Sequence, residues 1–313
     1  ILFTGIGIWM TPYVLRMMKT PAEVIPQSTA YLTTYFSGII GLMLYNMGAG
    51  ILRAVGDSKR PFYFLVVCAV MNTVLDLLFV LVFRMGVAGV AIATVSSQVI
   101  SAVLVMHALT LREDCCHLNR KEVRIYKDKL MGMIKVGLPA GIQGSLFSVS
   151  NVIIMSSINS FGSVVVAGNA AAANIEGFVY TCMNAIYQAC ITFVSQNLGA
   201  GKPKRVLRVM WICLAVVSAV GLVLGNLAYH GGHTLLGIYA SDEEGLREQI
   251  IQFGLLRMSF VAQPYFLCGA MEVACGVLRG LGRSWLPTTV SLMGACGFRI
   301  LWIFTAFRQV GTL

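Results

Sequence analysis

Nine apolar runs, each long enough to form a membrane-crossing helix, follow one another along this 313-residue chain. A bilayer core needs about 20 apolar residues for each helical crossing. The runs occupy residues 1–18, 29–53, 62–83, 87–110, 131–158, 164–197, 207–229, 249–279 and 285–307. Short connections rich in charge, glycine or proline separate them. This pattern predicts an all-α polytopic membrane protein.

The composition agrees with residence in a lipid bilayer. Hydrophobic residues make up 57% of the chain and charged residues only 12%, more apolar surface than a soluble domain could bury. We therefore expect the lipid bilayer as a partner and no nucleic acid, although the net charge is +10. The nine cysteines show no metal-ligand spacing, so we expect free thiols and no cofactor.

The basic residues follow the connections between the runs. If the runs cross the membrane alternately, one side receives sixteen Lys and Arg residues and the other receives four, together with the acidic stretch 242–244. The positive-inside rule places the first side in the cytoplasm. One missed or invented helix would exchange the two sides, so the consistent bias supports nine spans.

Two similar segments lie 226 residues apart. GILRAVGDSKRP (50–61) and GVLRGLGRSWLP (276–287) share six of twelve residues, and each ends a long run. Gly and Pro end helices there, and Arg53 and Arg279 could reach lipid headgroups. The copies are six spans apart, which predicts two parallel six-helix repeats. A generic turn between helices remains the alternative.

This repeat predicts the domain organisation. Residues 1–110 would hold helices 3–6 of an N-terminal lobe, residues 111–130 a cytoplasmic loop, and residues 131–313 helices 7–11 of a C-terminal lobe. We expect twelve helices in an intact protein, with helices 1 and 2 before this chain and helix 12 after it.

Three acidic residues, Asp76, Glu176 and Glu272, lie deep inside apolar runs. An ionised carboxylate there costs several kcal/mol unless it is protonated, paired or bound to a cation. Asn72 precedes Asp76 by one helical turn, and Thr94 lies equally far beyond the following turn. Their oxygens could bind Na⁺, or the carboxyl could carry a proton. A polar cluster that only joins helices is the alternative.

Other polar side chains in the runs are candidates for lining a substrate cavity. Glu176 and Glu272 could attract a cationic substrate, or they could pair with Arg257 or Arg299. The remaining candidates are Gln143, Asn151, Asn174, Gln263 and Tyr45, each of which could instead serve helix packing. No set of catalytic residues falls at one membrane depth, so we do not expect an enzyme.

The chain resembles the MATE (multidrug and toxic compound extrusion) transporters, and is most similar to their bacterial branch. The resemblance covers nearly the whole chain. It rests on the two repeated segments and on RMGVAGVAIATVSSQ (84–98), VGLPAGIQGSLFSVSN (136–151), AGNAAAANIEGF (167–178) and SQNLGAGKPKR (195–205).

The resemblance implies two six-helix lobes around a central cavity in a monomeric protein of the bacterial inner membrane. It also implies antiport of small cationic, amphipathic organic compounds against H⁺ or Na⁺. In many prokaryotic members an Asn-x-x-x-Asp on the fifth helix and a Thr on the sixth belong to the cation site. Asn72, Asp76 and Thr94 match these residues, with the Val90 carbonyl as a further ligand. Phe147 and Ser148 stand where some members carry a functional Glu.

Two other functions remain open from the sequence. A flippase for a lipid-linked precursor has the same helix count but would need a more basic cavity. A membrane-embedded enzyme or scaffold would need a catalytic set or a large soluble surface.

Overall fold

The computed structural model describes residues 2–17, 25–112, 116–119, 123–239, 246–302 and 305. Its regular elements are all helical within those residues, which confirms the predicted fold class. The chain divides into two compact units, Ile1–Arg124 (unit 1) and Ile125–Leu313 (unit 2). Their boundary lies inside the connection 111–130.

Unit 1 is a bundle in which α2 and α4 pack closely. A Cβ added at Gly38 would lie 2.5 Å from the side chain of Val95, and one at Gly48 would lie 2.9 Å from Val105. Glycines on α2 thus let the two helices approach one another. The helices are α1 (Leu2–Met17), α2 (Ile25–Ala54), α3 (Lys59–Leu77) and α4 (Gly86–Thr110).

A π-helical segment, Leu78–Val82, follows α3 directly. The N–H of Phe83 donates to the carbonyl of Leu78 at 3.1 Å, five residues back. Two residues with positive φ, Arg84 (52°) and Gly86 (57°), then reverse the chain into α4. Together α3, the π segment and α4 form a helical hairpin.

Unit 2 has its apolar core among α6, α7, α9 and α10. The backbones are close there: a Cβ at Gly168 on α6 would lie 2.6 Å from the carbonyl oxygen of Ile250 on α9. The helices are α5 (Lys127–Ile158), α6 (Ser163–Gly199), α7 (Pro203–His230), α8 (Gly232–Tyr239), α9 (Leu246–Val261), α10 (Tyr265–Gly280), α11 (Trp285–Ser291) and α12 (Phe298–Trp302), with a π-helical segment Leu292–Gly297 between the last two.

Helices lie at all nine positions where the sequence places a span. Six of them, within the described residues, are long and apolar enough to cross a membrane. The bent pair formed by α9 and α10 makes a seventh if it is counted as one span. The first predicted span corresponds to α1, described over 16 residues, and the ninth to α11, its π segment and α12.

Two features of unit 2 differ from the sequence reading. The predicted run 249–279 is broken, since α9 and α10 meet at an angle of 48°. Pro264 lies at the break, where it lacks the N–H that would continue the helix. The second feature is α8, a helix of eight residues. The sequence reading did not predict it, because apolar runs were counted as spans only when they were long enough to cross a bilayer.

The repeated segments close α2 and α10 in the same way. Gly56 and Gly282 have φ of +88° and +78°. Each donates its N–H to a carbonyl three residues back, Arg53 at 3.0 Å and Arg279 at 2.9 Å. The next residue donates to a carbonyl five back in both copies, the pattern of a Schellman motif. Sequence and local conformation therefore agree between the copies.

The same closure also ends α6, outside the repeat. Gly201 has φ of +67° and donates to Leu198 at 3.0 Å, while Lys202 donates to Asn197 at 2.9 Å. This conformation is thus a common helix ending in the chain. The six shared residues, rather than the turn geometry, are what distinguish the repeat.

Candidate functional site

Two contacts fix the register of the hairpin in unit 1. Near one end, the Cys68 thiol donates to the carbonyl of Ser97 at 3.3 Å. Near the other end, Phe79 packs on Gly89, where an added Cβ would lie 2.9 Å from the Phe79 Cβ. Residues of α3 that lie between these contacts and follow Cys68 at intervals of three or four residues therefore face α4.

Asn72 and Asp76 occupy this part of α3. The register places Asn72 near the level of Thr94 and Asp76 near the level of Val90. The Thr94 hydroxyl donates to the Val90 carbonyl at 3.0 Å. By this register the two pairs of predicted coupling residues lie at similar levels of α3 and α4, and no hydrogen bond joins one pair to the other among the described residues.

Asp76 Oδ1 and Asn72 Nδ2 are buried atoms without a hydrogen-bond partner among the described residues. Burying an unpaired polar group costs free energy, so such atoms are uncommon in folded proteins. A bound cation or proton would reduce this cost at Asp76 Oδ1, whereas Asn72 Nδ2 is a donor and would need an acceptor. Carboxylate, amide, hydroxyl and carbonyl oxygens are suitable ligands for a hard cation.

Gln98 is a further polar residue at this helix interface, and the sequence reading did not select it. Its Oε1 is also buried without a hydrogen-bond partner in the described part of the chain. Gln98 follows Thr94 by four residues on α4, so the two share a helix face. That spacing was the signal available in the sequence.

In unit 2, Glu176 is paired with Arg257. The Arg257 Nε lies 3.1 Å from Oε1, and its Nη2 lies 2.7 Å from Oε2, a bidentate arrangement. The remaining Nη1 donates to the amide oxygen of Asn169. The side chain of Glu176 is 5% exposed and that of Arg257 is 29% exposed. Of the two partners considered from the sequence, the structure shows Arg257, which neutralises this carboxylate.

Gln143 lies in a second polar cluster, at the end of α10. Its Oε1 accepts from Arg279 Nη2 at 2.7 Å and lies 3.3 Å from the Thr288 hydroxyl. Arg279 also donates to the Tyr187 hydroxyl, and its guanidinium lies 5.8 Å from the centre of that ring. The cluster joins α5, α6, α10 and α11.

This cluster corrects the expectation that Arg279 reaches lipid headgroups. The side chain turns inward because Tyr187 and Gln143 offer it two oxygen acceptors and an aromatic face within unit 2. The sequence shows that Arg279 lies in the last turn of α10, but not that its side chain points into unit 2.

Glu272 keeps a half-buried carboxylate that forms neither a hydrogen bond nor an ion pair with any described residue. Gln263 is also half-buried and lies in the break between α9 and α10, while Asn151 and Asn174 are exposed. Among the described residues, no hydrogen bond connects Gln263, Asn151 or Asn174 to Glu272.

Tyr45, the candidate in unit 1, is held by its neighbours. Its hydroxyl donates to the Pro61 carbonyl at 3.1 Å. Its ring packs against the apolar cluster that contains Leu52 and Val105. These contacts connect α2 with the start of α3.

Two curated relatives cover most of the chain. This chain is 31% identical over 280 residues to "Probable multidrug resistance protein YpnP" of Bacillus subtilis (strain 168). The aligned region covers 90% of this chain and 61% of that protein. The chain is 28% identical over 302 residues to "Probable multidrug resistance protein YoeA" of the same strain, covering 94% and 64%. The chain therefore spans less than two thirds of the length of either relative.

The fold and the family agree with these similarities. A solved MOP superfamily transporter from Pyrococcus furiosus has a TM-score of 0.87 to this chain, with 17% identity, over 97% of this chain and 68% of that one. This chain therefore has the same fold as that transporter. The MatE family model matches residues 1–78 and 139–305. Since these matches cover well over half of the sequence, the protein belongs to the MatE family.

Proposed function

We propose that the protein is a secondary active multidrug efflux transporter, which exports cationic amphipathic compounds in exchange for H⁺ or Na⁺. The names of the curated relatives support multidrug export. The observation that carries the coupling proposal is the buried, unpartnered carboxylate oxygen of Asp76. The bacterial relatives support a location in the bacterial inner membrane, and the charge bias supports an orientation with the basic loops in the cytoplasm.

Asp76 is the residue that binds the coupling ion in this proposal. Na⁺ or a proton would stabilise its carboxylate in the low-dielectric interior. The side-chain oxygens of Asn72 and Thr94 and the carbonyl of Val90 would provide further ligands. Export requires that the cation and the exported compound favour different conformations, so that binding of one promotes release of the other.

Glu272 is the residue we assign to attraction of a cationic compound. It is a carboxylate of unit 2 that lacks a partner among the described residues. Glu176 has a different role, because Arg257 already neutralises it. We assign Glu176 to the stability of unit 2.

The test is export of a cationic dye from proteoliposomes that contain the complete reading frame. Wild type and Asp76→Asn are compared under a Na⁺ gradient and a proton gradient, each imposed alone. We expect export by wild type under one gradient, which names the ion, and loss of gradient-driven export in the variant. The substitution keeps the size of the side chain and removes its charge.

Asp128→Asn is the matched control, because Asp128 lies exposed in the first turn of α5. It should export at the wild-type rate. Equal export by Asp76→Asn and wild type, in protein shown to be folded and inserted, would refute coupling through Asp76.

A further inference from the structure

An apolar groove of about 510 Å³ lies between α6 and α7. Its volume falls within the roughly 300–1,000 Å³ range of small-molecule sites. On α6 the lining residues Ala185, Ala189 and Phe193 recur every four residues, and on α7 the groove is lined by Val209, Ile212 and Val216. Both helices are long and apolar enough to cross a membrane.

The groove presents apolar side chains outward rather than into the core of unit 2. Phe193 is 53% exposed and Ile212 is 55% exposed. Cys213, by contrast, lines the floor of the groove and is buried against α6. A hydrocarbon chain could therefore lie along the groove without displacing the core.

Two arginines extend the α7 side of the groove at one end. Arg205 precedes Val209 by four residues, and Arg208 precedes Ile212 by four, so each arginine shares a helix face with a lining residue. Both are exposed and form no ion pair with any described residue. No acidic residue occurs between positions 177 and 241. Neither α7 nor the part of α6 after Glu176 therefore supplies a carboxylate to offset the charge of the two arginines.

We propose that this groove binds an anionic phospholipid, with one acyl chain between α6 and α7 and the phosphate at Arg205 and Arg208. Guanidinium groups bind phosphate oxygens in a bidentate manner. Val216 lies eight residues beyond Arg208, about 12 Å along the helix axis, so headgroup and chain contacts fall along one line. The site is separate from Asp76 and does not depend on the transport proposal.

Trp211 provides a reporter for the test, since it is exposed and lies directly before Ile212. The complete reading frame is prepared with Trp211 as its single tryptophan and reconstituted in phosphatidylcholine bilayers. Quenching of its fluorescence is then measured with phosphatidylglycerol or phosphatidylcholine brominated on an acyl chain. The ratio of the two quenching affinities gives the preference for the anionic lipid.

We expect wild type to prefer phosphatidylglycerol by at least about fivefold, the effect of roughly one basic residue at an anionic surface. Arg205→Gln/Arg208→Gln should lower the ratio to near one. Lys127→Gln/Lys129→Gln removes the same charge from exposed positions at the start of α5 and should leave the ratio unchanged.

A second pair of variants tests the groove itself. Ala189→Phe should fill it and weaken quenching by brominated phosphatidylglycerol. Ala173→Phe places the same ring at an exposed position on α6 outside the groove and should have no effect. Equal affinity for both lipids in wild type would overturn the proposal, as expected if a second copy or another segment covers the groove. A preference that survives the arginine substitutions would also overturn it.

Discussion

Replacement of Arg257 by methionine is expected to destabilise unit 2 by leaving a buried charge without its partner. Arg257 on α9 donates two hydrogen bonds to Glu176 and one to Asn169, both on α6. Methionine retains much of the apolar length of arginine but none of its donors. The variant would thus leave three acceptor oxygens without their donor.

The expected loss follows from burial. Removing one partner of a buried ion pair costs about 3–5 kcal/mol. Glu176 is 5% exposed, but Arg257 is 29% exposed, so water can reach part of the site after substitution. We therefore expect the lower end, about 3 kcal/mol. Replacing both residues, as Glu176→Gln/Arg257→Met, removes the charge imbalance and should cost only about 1 kcal/mol, because Asn169 still loses its donor.

The assay is a double-mutant cycle on the free energy of unfolding, measured by titration with SDS in mixed micelles. Wild type, Glu176→Gln, Arg257→Met and the double variant complete the cycle. Effects that add to within about 0.5 kcal/mol would show that the two side chains are not coupled. That result would refute the pairing with Arg257 as the way in which Glu176 stabilises unit 2.

Two further predictions compare glycines, with the thermal unfolding midpoint as the measurement. Gly56→Ala should destabilise by about 1 kcal/mol, because φ is +88° there although space is open. Gly50→Ala, in the body of α2 and also in open space, should be neutral or stabilising. Gly225→Ala should cost about 2 kcal/mol, since the new Cβ would overlap the carbonyl oxygen of Ala262. Gly177→Ala meets no atom within 4 Å and serves as its control; equal losses within either pair would contradict the argument.

The positions of the helices could be predicted because each span needs a minimum apolar length, and that length can be counted in a sequence. Breaks within a span were harder to foresee. Pro264 stands inside a continuous apolar run, so hydropathy joined two helices that meet at 48°. The π segment Leu78–Val82 likewise leaves the apolar pattern unbroken.

The candidate site could be predicted where local spacing determines it. Asn72 and Asp76 are four residues apart on one helix, and the short turn of the hairpin brings α4 against them. The partner of Glu176 was not determined in this way, because Arg257 is 81 residues away. Periodicity shows which face of a helix is polar, but it does not show which distant helix packs there. The same limit applies to Arg279 and Gln143, which are 136 residues apart.

The π-helical segment between Asp76 and the turn has a consequence for how this hairpin tolerates changes in length. A π-helical turn holds one more residue than an α-helical turn. Deleting one residue from 78–82 would allow an ordinary α-helix to continue to the turn. Because the extra residue is contained within the π turn, this deletion would leave Asp76 at nearly the same angular position relative to α4, whereas deleting one residue from an ordinary α-helical stretch would rotate it by about 100°. The π segment is therefore the part of the hairpin that can lose one residue while the carboxylate keeps its orientation toward α4.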